Sequence, residues 1–301
     1  MDRFQDRARV CFVGDSITHA GYFQKYIVAH YRKNFPDAKV EFYNCGISGG
    51  NLRNTIAIYN EDIDIYSPTH VVLMIGVNDS RRNRLNDEAS DEKYEKIFEA
   101  YERYKKNVEE FYLLTKKKGV ELILCTPAPY DEYQKIDSPV LKGGYALMLG
   151  YADFIRAFAK ENGLALCDYH AAMTRAMQRE VLYSSDRVHP NKRGHFYMAK
   201  EFLASQNLEL SDDEASSVAI EEWYSLTQKI RDVVAAEYFA SPDYLKMTAE
   251  ERFDLIKSLV EKMNQKPVDD GDYVGGLFRR YLVNKPRLSE YIDAVKQFMK
   301  S

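Results

Sequence analysis

Hydrophobic positions along the chain gather into five short apolar runs, which longer amphipathic stretches separate. The runs read RVCFVGD, KVEFYNCG, THVVLMIG, VELILCTP and LALCDYH. Each is rich in β-forming residues and is too short for a typical helix. The last four alternate apolar and polar residues only in part, which is typical of strands covered on both faces. The pattern therefore predicts five strands of a parallel sheet.

The stretches between these runs place apolar residues at helical spacing. In the longest of them, Ser90 is a favourable residue for a helix start and Gly119 closes the helix. Strand and helix alternate along the chain, and such alternation favours a parallel sheet with right-handed crossovers. We therefore predict an α/β fold for residues 1–206, a doubly wound three-layer α/β/α sandwich around a five-stranded parallel sheet.

The pattern of residues 207–301 differs, because it contains no convincing strand. Ser211 with Glu214, and Thr248 with Glu251, form capping boxes that begin amphipathic stretches. We predict an all-helical C-terminal extension. Its apolar stripe at helical spacing leaves three roles open, which are packing on the main domain, a homo-oligomer interface and a lid over a site.

Composition and charge narrow the function classes. The chain has 301 residues, of which 45% are hydrophobic and 29% charged, an ordinary globular composition. Its formal net charge of -4 provides no basic field for nucleic acid. No segment approaches the roughly 20 apolar residues of a membrane span. The charged start MDRFQDRARV lacks the apolar core of a signal peptide. We therefore expect a soluble cytoplasmic protein without nucleic-acid partners or a membrane span.

The four cysteines lie in or beside the apolar runs, and no two form a C-x-x-C motif. They are Cys11, Cys45, Cys125 and Cys167. Free cysteine behaves as a small hydrophobic residue, so we expect these four to be buried and reduced. We expect no metal site and no cofactor.

Residues that follow the apolar runs are the candidates for chemistry, because open parallel sheets bind ligands beyond the carboxyl ends of their strands. They read GDS at 14–16, GISGG at 46–50, GVND at 76–79 and, after the fifth run, SSDRVHP at 184–190. Hydroxyl, amide, carboxylate and imidazole groups thus gather at one edge of the sheet. This convergence favours an acyl-transfer site.

Two serines compete for the role of nucleophile. The segment GISGG matches the G-x-S-x-G nucleophile elbow of α/β-hydrolases, which would select Ser48. That fold places several strands before its elbow, whereas only two runs precede Ser48, so the pattern favours Ser16. We then expect Gly49 to offer a backbone N–H that no side chain shields.

The spacing D-x-x-H lets Asp186 accept a hydrogen bond from Nδ1 of His189, which leaves Nε2 free to take a proton. Asn78 offers an uncharged NH2 donor that suits an oxyanion. Taken alone, the spacing of Asp186 and His189 also fits a surface ion pair, and Asn78 also fits an ordinary turn. His170 is a weaker candidate base. Pro190 fits the first turn of the helix that follows.

Four motifs in order, GDS, N-x-G-x-S-G, G-x-N-D and D-x-V-H-P, resemble the SGNH hydrolase superfamily, the GDSL esterases/lipases. The resemblance covers roughly residues 9–204, with Ile17 where many members have leucine. It implies a flavodoxin-like fold and metal-free hydrolysis of sugar O-acetyl groups, lipid esters or thioesters. It also implies that Ser16, His189 and Asp186 form the catalytic triad, and that Ser16, Gly49 and Asn78 form the oxyanion hole.

We therefore expect a serine esterase, an O-deacetylase whose partner is a small-molecule or carbohydrate ester. His19 and Arg81 follow the candidate residues Ser16 and Asn78 closely in the sequence, and Tyr130 lies in the long loop after the fourth run. We therefore expect substrate contacts by His19, Arg81 and Tyr130. Three alternatives stay open: a lysophospholipase or thioesterase, acyl transfer to an acceptor other than water, and a binding protein that works through its helical extension.

We predict that Ser16→Ala abolishes hydrolysis of a short p-nitrophenyl ester without unfolding the protein, because the nucleophile is lost. We expect Ser48→Ala to keep most of the turnover, because its hydroxyl forms no bond to the substrate. Initial rates of p-nitrophenyl acetate hydrolysis by both variants test this. The reverse pattern would establish the α/β-hydrolase interpretation.

Overall fold

A five-stranded parallel sheet forms the centre of the computed structural model, which describes residues 1–212 apart from three side chains between positions 61 and 65. The strands are β1 (Arg9–Gly14), β2 (Glu41–Gly46), β3 (His70–Met74), β4 (Glu121–Cys125) and β5 (Ala165–Cys167). Their spatial order is β2-β1-β3-β4-β5, and every neighbouring pair is parallel. This is the strand order of a flavodoxin-like sheet, so the predicted fold class is confirmed.

Helices cover the sheet in two groups. They are α1 (Ser16–Ala20), α2 (Tyr22–Asn34), α3 (Leu52–Ala57), α4 (Tyr59–Asp62), α5 (Asp91–Lys117), α6 (Gly144–Asn162), α7 (Tyr169–Met177) and α8 (Lys192–Ser205), with 3₁₀ turns at Asp64–Tyr66 and Arg82–Asn86. Helices α2, α7 and α8 pack together, as do α3, α5 and α6. Within residues 1–212, no helix combines the length and the apolar character needed to cross a bilayer.

Helix ends follow the local chemistry of the sequence, with one exception. The Ser90 side chain accepts the Lys93 N–H, and Gly119 follows α5 with a left-handed φ of 69°, as predicted. The prediction that Pro190 occupies the first turn of α8 is wrong. Asn191 caps that helix by accepting the Gly194 N–H at 3.0 Å, and Pro190 lies before the cap.

The core lies on both faces of the sheet. Four consecutive residues of β1, from Val10 to Val13, are at most 1% exposed, which explains why the run lacks a polar face. All four cysteines are free and buried, as expected. Edge-to-face contacts of Phe12 with Phe23 and of Phe4 with Phe42 add specific geometry to this burial.

The predicted boundary at residue 206 and the helical extension over 207–301 stay predictions. Helix α8 ends at Ser205, and residues 1–59 and 67–212 belong to one compact unit. Nearly all of the predicted extension, including Glu214 and the Thr248–Glu251 capping box, lies outside the described residues.

Two glycines let α1 lie against the strand ends. A Cβ atom on Gly46 would come within 2.2 Å of the His19 backbone nitrogen, and one on Gly14 would come within 2.2 Å of Thr18 Oγ1 in α1 and within 2.3 Å of the Met74 carbonyl oxygen in β3. Any side chain at these positions would push α1 away from the sheet. Since Ser16 is the first residue of α1, these contacts constrain where its backbone lies.

We predict that Gly46→Ala lowers the free energy of unfolding by about 1–3 kcal/mol, because the backbone of α1 must move. Gly150→Ala is the matched control, since a Cβ atom there meets nothing within 4 Å. We expect it to stabilise α6 by about 0.5–1 kcal/mol. Urea unfolding measures both. A Gly46→Ala midpoint equal to that of the parent protein would contradict the close contact.

Candidate active site

Three side chains from distant parts of the chain form a hydrogen-bonded series beside the first strand. Ser16 Oγ lies 2.7 Å from His189 Nε2, and His189 Nδ1 lies 2.5 Å from Asp186 Oδ2. The side chains of His189 and Asp186 are 43% and 49% exposed, so a molecule from solution can reach them. The structure therefore brings together the three residues that sequence patterns singled out for acid, base and nucleophile.

The two carboxylate oxygens of Asp186 have different hydrogen-bond partners. Oδ1 accepts the backbone N–H groups of Val188 and His189 at 3.0 and 2.9 Å, and Oδ2 faces the imidazole. Burial acts to raise the pKa of Asp186, but the hydrogen bonds from His189 and Val188 outweigh it and keep the pKa below its ordinary value. The ionised carboxylate therefore favours a proton on Nδ1 of the imidazole, which leaves Nε2 as the acceptor.

Arg187, between the acid and the histidine, is buried to 2% exposure. Its guanidinium donates five hydrogen bonds to the loop after β4. The acceptors are the carbonyl oxygens of Asp131, Gln134, Ile136 and Ser138 and the hydroxyl of Ser138. Sequence patterns gave no reason to select Arg187, because an arginine in a polar loop ordinarily faces solvent.

The contact between the two loops is reciprocal. The Asp131 N–H donates to the Arg187 carbonyl oxygen at 3.0 Å, and the fully buried Asp131 carboxylate lies 3.9 Å from the guanidinium. Arg187 itself has a left-handed φ of 61°, so the chain reverses between Asp186 and His189. Arg187 thus positions the segment after β4 relative to the acid and the base.

Gly49 belongs to a tight turn at the end of β2. The turn is closed by the Gly50 N–H, which donates to the Ile47 carbonyl oxygen at 2.8 Å. Gly49 has a φ of 72° in the third position, where a type II turn requires a left-handed residue. A Cβ atom on Gly49 would meet nothing within 4 Å, so the space beside it is open. Within residues 1–212, its N–H has no hydrogen-bond acceptor.

The segment after β3 holds this turn in place. Asn78 Nδ2 donates to the Gly50 carbonyl oxygen at 2.9 Å, and Asp79 accepts the Leu52 N–H at 3.1 Å. One N–H of the Asn78 amide thereby stays available for another acceptor. By contrast, the exposed Ser48 makes no hydrogen bond to a histidine among the described residues.

Two aspartates beside these groups resist ionisation. Burial raises the pKa of Asp15 to about 6, although the Ile17 N–H and the charges of His189 and Arg82 act against it. Burial also raises the pKa of Asp79 to about 6, and the nearby Asp15 charge adds to the shift. Asp15 caps α1 by accepting the Ile17 N–H at 3.0 Å, so its role in this structure is to shape the turn that presents Ser16.

A cleft of about 440 Å³ opens beside Asn78 and Asp186. Its apolar wall includes Pro139, Val140 and Leu141 from the loop that Arg187 holds. Its polar wall consists of Arg81, Arg82, Asn83 and Asn86. Tyr130 also lines the cleft, and its hydroxyl accepts the Leu141 N–H at 2.9 Å. Arg81 and Tyr130 both line this cleft, and their contact with a substrate stays a prediction.

The other histidines stand apart from this cleft. His19, an expected substrate contact, is not among the described lining residues, and its carbonyl oxygen accepts from Asn44. Burial lowers the pKa of His170 to about 4 and that of His195 to about 3, so both are neutral at pH 7. Among residues 1–212, no group of three or more His, Cys, Asp or Glu side chains has an arrangement that would hold a metal ion.

Comparisons with known proteins identify a family and similar sequences. The sequence profile of the GDSL-like Lipase/Acylhydrolase family matches residues 12–196. An acetylxylan esterase from Geobacillus stearothermophilus is 28% identical over 215 residues, which are 65% of this chain and 92% of that protein.

Two solved structures share the fold. A gut microbial diltiazem-metabolizing enzyme superposes with a TM-score of 0.63 at 27% identity, over 69% of this chain. The chain spans only about half of that enzyme, since the match covers 48% of its length. An alpha/beta hydrolase enzyme from the metagenome of Lake Arreo, Spain, gives a TM-score of 0.56 at 27% identity, over 69% of this chain and 99% of the other.

Because the folded protein binds the Asp15 proton more tightly than the unfolded chain does, the stability that this carboxyl contributes is complete below pH 3.8 and is lost as the pH rises through about 6. The Asp15→Asn variant keeps a side chain that can cap α1 and removes the carboxyl group that titrates. We predict that the free energy of unfolding of this variant, relative to the parent, increases by on the order of 2 kcal/mol between pH 4 and pH 8.

Urea unfolding at both pH values measures this difference. Asp37→Asn, at an exposed position, corrects for the general effect of removing one carboxylate. A difference between Asp15→Asn and the parent that stays constant with pH would contradict the proposed burial cost.

Proposed function

The chain belongs to the GDSL-like Lipase/Acylhydrolase family and is a carboxylic ester hydrolase, and from this premise we propose that it removes acetyl or other short acyl groups from carbohydrates by a serine mechanism. The observation that carries the proposal is the series of two hydrogen bonds from Ser16 through His189 to Asp186. It supplies a nucleophile, a base and a carboxylate in the order that acyl transfer requires.

In the proposed mechanism, Ser16 Oγ attacks the ester carbonyl carbon while His189 Nε2 takes the hydroxyl proton. Asp186 stabilises the imidazolium that forms. The tetrahedral intermediate then expels the alcohol, which receives the proton from His189, and leaves an acyl group on Ser16. Water repeats the sequence on the acyl-enzyme, with His189 as the base, and releases the acid.

We assign the oxyanion to three donors, which are the backbone N–H groups of Ser16 and Gly49 and the side-chain amide of Asn78. Two observations support this assignment. The space beside Gly49 is open, and its N–H makes no bond within the described chain. The hydrogen bond from Asn78 to Gly50 holds the amide and the turn in one fixed arrangement, and donors that are fixed before the reaction stabilise the transition state most effectively.

A carbohydrate ester suits the cleft better than a lipid ester does. A lysophospholipase or thioesterase needs a broad apolar groove for its acyl chain, whereas one wall of this cleft consists of arginines and asparagines. Such side chains offer donors and acceptors to the hydroxyl groups of a sugar. The relative that matches over 92% of its length is an acetylxylan esterase, which also favours a sugar acetate. The cytoplasmic location stays a prediction.

We expect the protein to release acetate from acetylated xylo-oligosaccharides faster than it releases fatty acid from a lysophospholipid or a long-chain acyl thioester. Acetate and fatty-acid release under matched conditions measure this order. Faster turnover of the long-chain substrates would select the lipase alternative. The absence of turnover on every ester, together with the absence of labelling by a fluorophosphonate probe, would contradict the serine mechanism.

With the preferred acetate as substrate, we expect Asn78→Ala to lower kcat by about 10²–10³, since one oxyanion donor is lost. KM should change much less, because this donor binds the transition state rather than the ground state. Thermal unfolding of the variant separates a folding defect from a catalytic one. An effect confined to KM would remove Asn78 from the oxyanion hole.

A further inference from the structure

The polar wall of the cleft carries two guanidinium groups with few partners. The side chain of Arg81 is exposed and forms no hydrogen bond or ion pair with a described residue. Arg82 makes a single hydrogen bond, from Nη1 to the Val77 carbonyl oxygen at 3.2 Å. Since a guanidinium has five N–H donors, most of the donors on this wall have no acceptor within residues 1–212.

Neither arginine forms an ion pair among the described residues, although the charge of Arg82 acts on the buried Asp15 carboxyl. Asp186 is the single carboxylate among the described lining residues, and it already accepts bonds from Val188 and His189. The neighbouring Arg84, which does not line the cleft, is paired with Asp87 at 3.1 Å. The unpaired positive charge is therefore confined to the part of this segment that faces the cleft, in a chain whose net charge is -4.

The backbone conformation of Arg81 also favours a functional role for its side chain. Its φ is 48°, in the left-handed region where glycine and asparagine are favoured over larger side chains. Residues held in such conformations cluster at functional sites, where the position of the side chain outweighs the local strain. At Arg81 the conformation presents a charged side chain at the cleft, three residues after Asn78. Arg81 and Asn78 line the same cleft, and the chain segment of three residues that joins them spans at most roughly 10 Å.

We propose that Arg81 and Arg82 form an anion subsite that selects, among esters of sugars with acetyl or other short acyl groups, those whose sugar carries a carboxylate or a phosphate group near the ester. An acetylated acidic sugar or an acetylated sugar phosphate has this chemistry, whereas a neutral xylan does not. A guanidinium binds either group through parallel N–H···O bonds. The proposal rests on the ester hydrolase function proposed above and specifies the class of its substrate.

Substrate pairs that differ only in charge test the subsite. One pair is the O-acetylated methyl glycoside of a uronic acid and the corresponding uronamide, and a second pair is an acetylated sugar phosphate and the same acetylated sugar without phosphate. We expect kcat/KM to be at least about tenfold higher for the anionic member of one pair, a difference worth about 1.4 kcal/mol. The pair that shows the preference identifies carboxylate or phosphate as the recognised group. Equal kcat/KM values within both pairs would overturn the proposal.

Arg81→Asn removes the charge and suits the left-handed backbone, so the variant is expected to fold. We expect the preference for the anionic member to fall from tenfold or more to below about threefold. Arg84→Asn is the matched control, since Arg84 lies in the same turn but outside the cleft lining, and it should keep the preference of the parent. A preference that survives Arg81→Asn, or that Arg84→Asn reduces equally, would overturn the assignment.

The two proposals fail in different ways. If neutral acetates are hydrolysed and Ser16→Ala abolishes that activity, but no anionic preference exists, then the subsite is wrong and the esterase mechanism stands. If Ser16→Ala hydrolyses both members of each pair as fast as the parent, then the serine mechanism is wrong. A further readout is ionic strength, since a preference that depends on exposed charges should decrease between 0.05 and 0.5 M salt, with a Debye length of about 10 Å at 0.1 M.

Discussion

The contact between α1 and the ends of β1 and β2 is the constraint on which the candidate site depends. Gly14 and Gly46 leave no room for a Cβ atom, so the helix backbone lies directly on the strand ends. Asp15 caps the helix at the same place, and Ser16 is its first residue. Close backbone packing thus positions the main chain of Ser16, and its hydroxyl lies 2.7 Å from His189 Nε2. His189 approaches a group that is already fixed.

The positions of the acid and the base depend on a different set of contacts. A short turn holds Asp186 and His189, and a buried arginine between them binds the loop after β4 through main-chain carbonyls. The acid, the base and one wall of the cleft are therefore parts of a single hydrogen-bonded unit. Two aspartates close to Ser16, Asp15 and Asp79, are buried, which raises their pKa values. Such local costs are typical of functional edges of a sheet, where geometry takes precedence over stability.

Much of this architecture could be predicted from residue patterns, because strands buried on both faces and amphipathic helices leave strong periodic signals. The five strands, and the helix from Ser90 to Gly119, follow from such signals. The position of Pro190 was predicted wrongly because proline and asparagine both favour helix starts, and the asparagine side chain took the cap. Candidate residues at strand ends came together because parallel strands end at one edge.

Contacts that depend on tertiary structure left no such signal. Nothing local distinguishes the buried Arg187 from the exposed Arg81, since both follow turn residues in polar segments. Proximity in sequence to Ser16 also suggested His19 as a contact, and this stays a prediction, since His19 is not among the lining residues of the cleft. The acceptors of Arg187 carry a further consequence. Four of its five hydrogen bonds end on main-chain carbonyls, which are the same whatever side chains the loop bears. Substitutions at loop positions other than Asp131 and Ser138 can therefore accumulate and alter what the enzyme accepts without loosening the arginine. An insertion or deletion would shift the carbonyls themselves, so divergence of this loop among descendants of the chain should proceed by replacement at constant length.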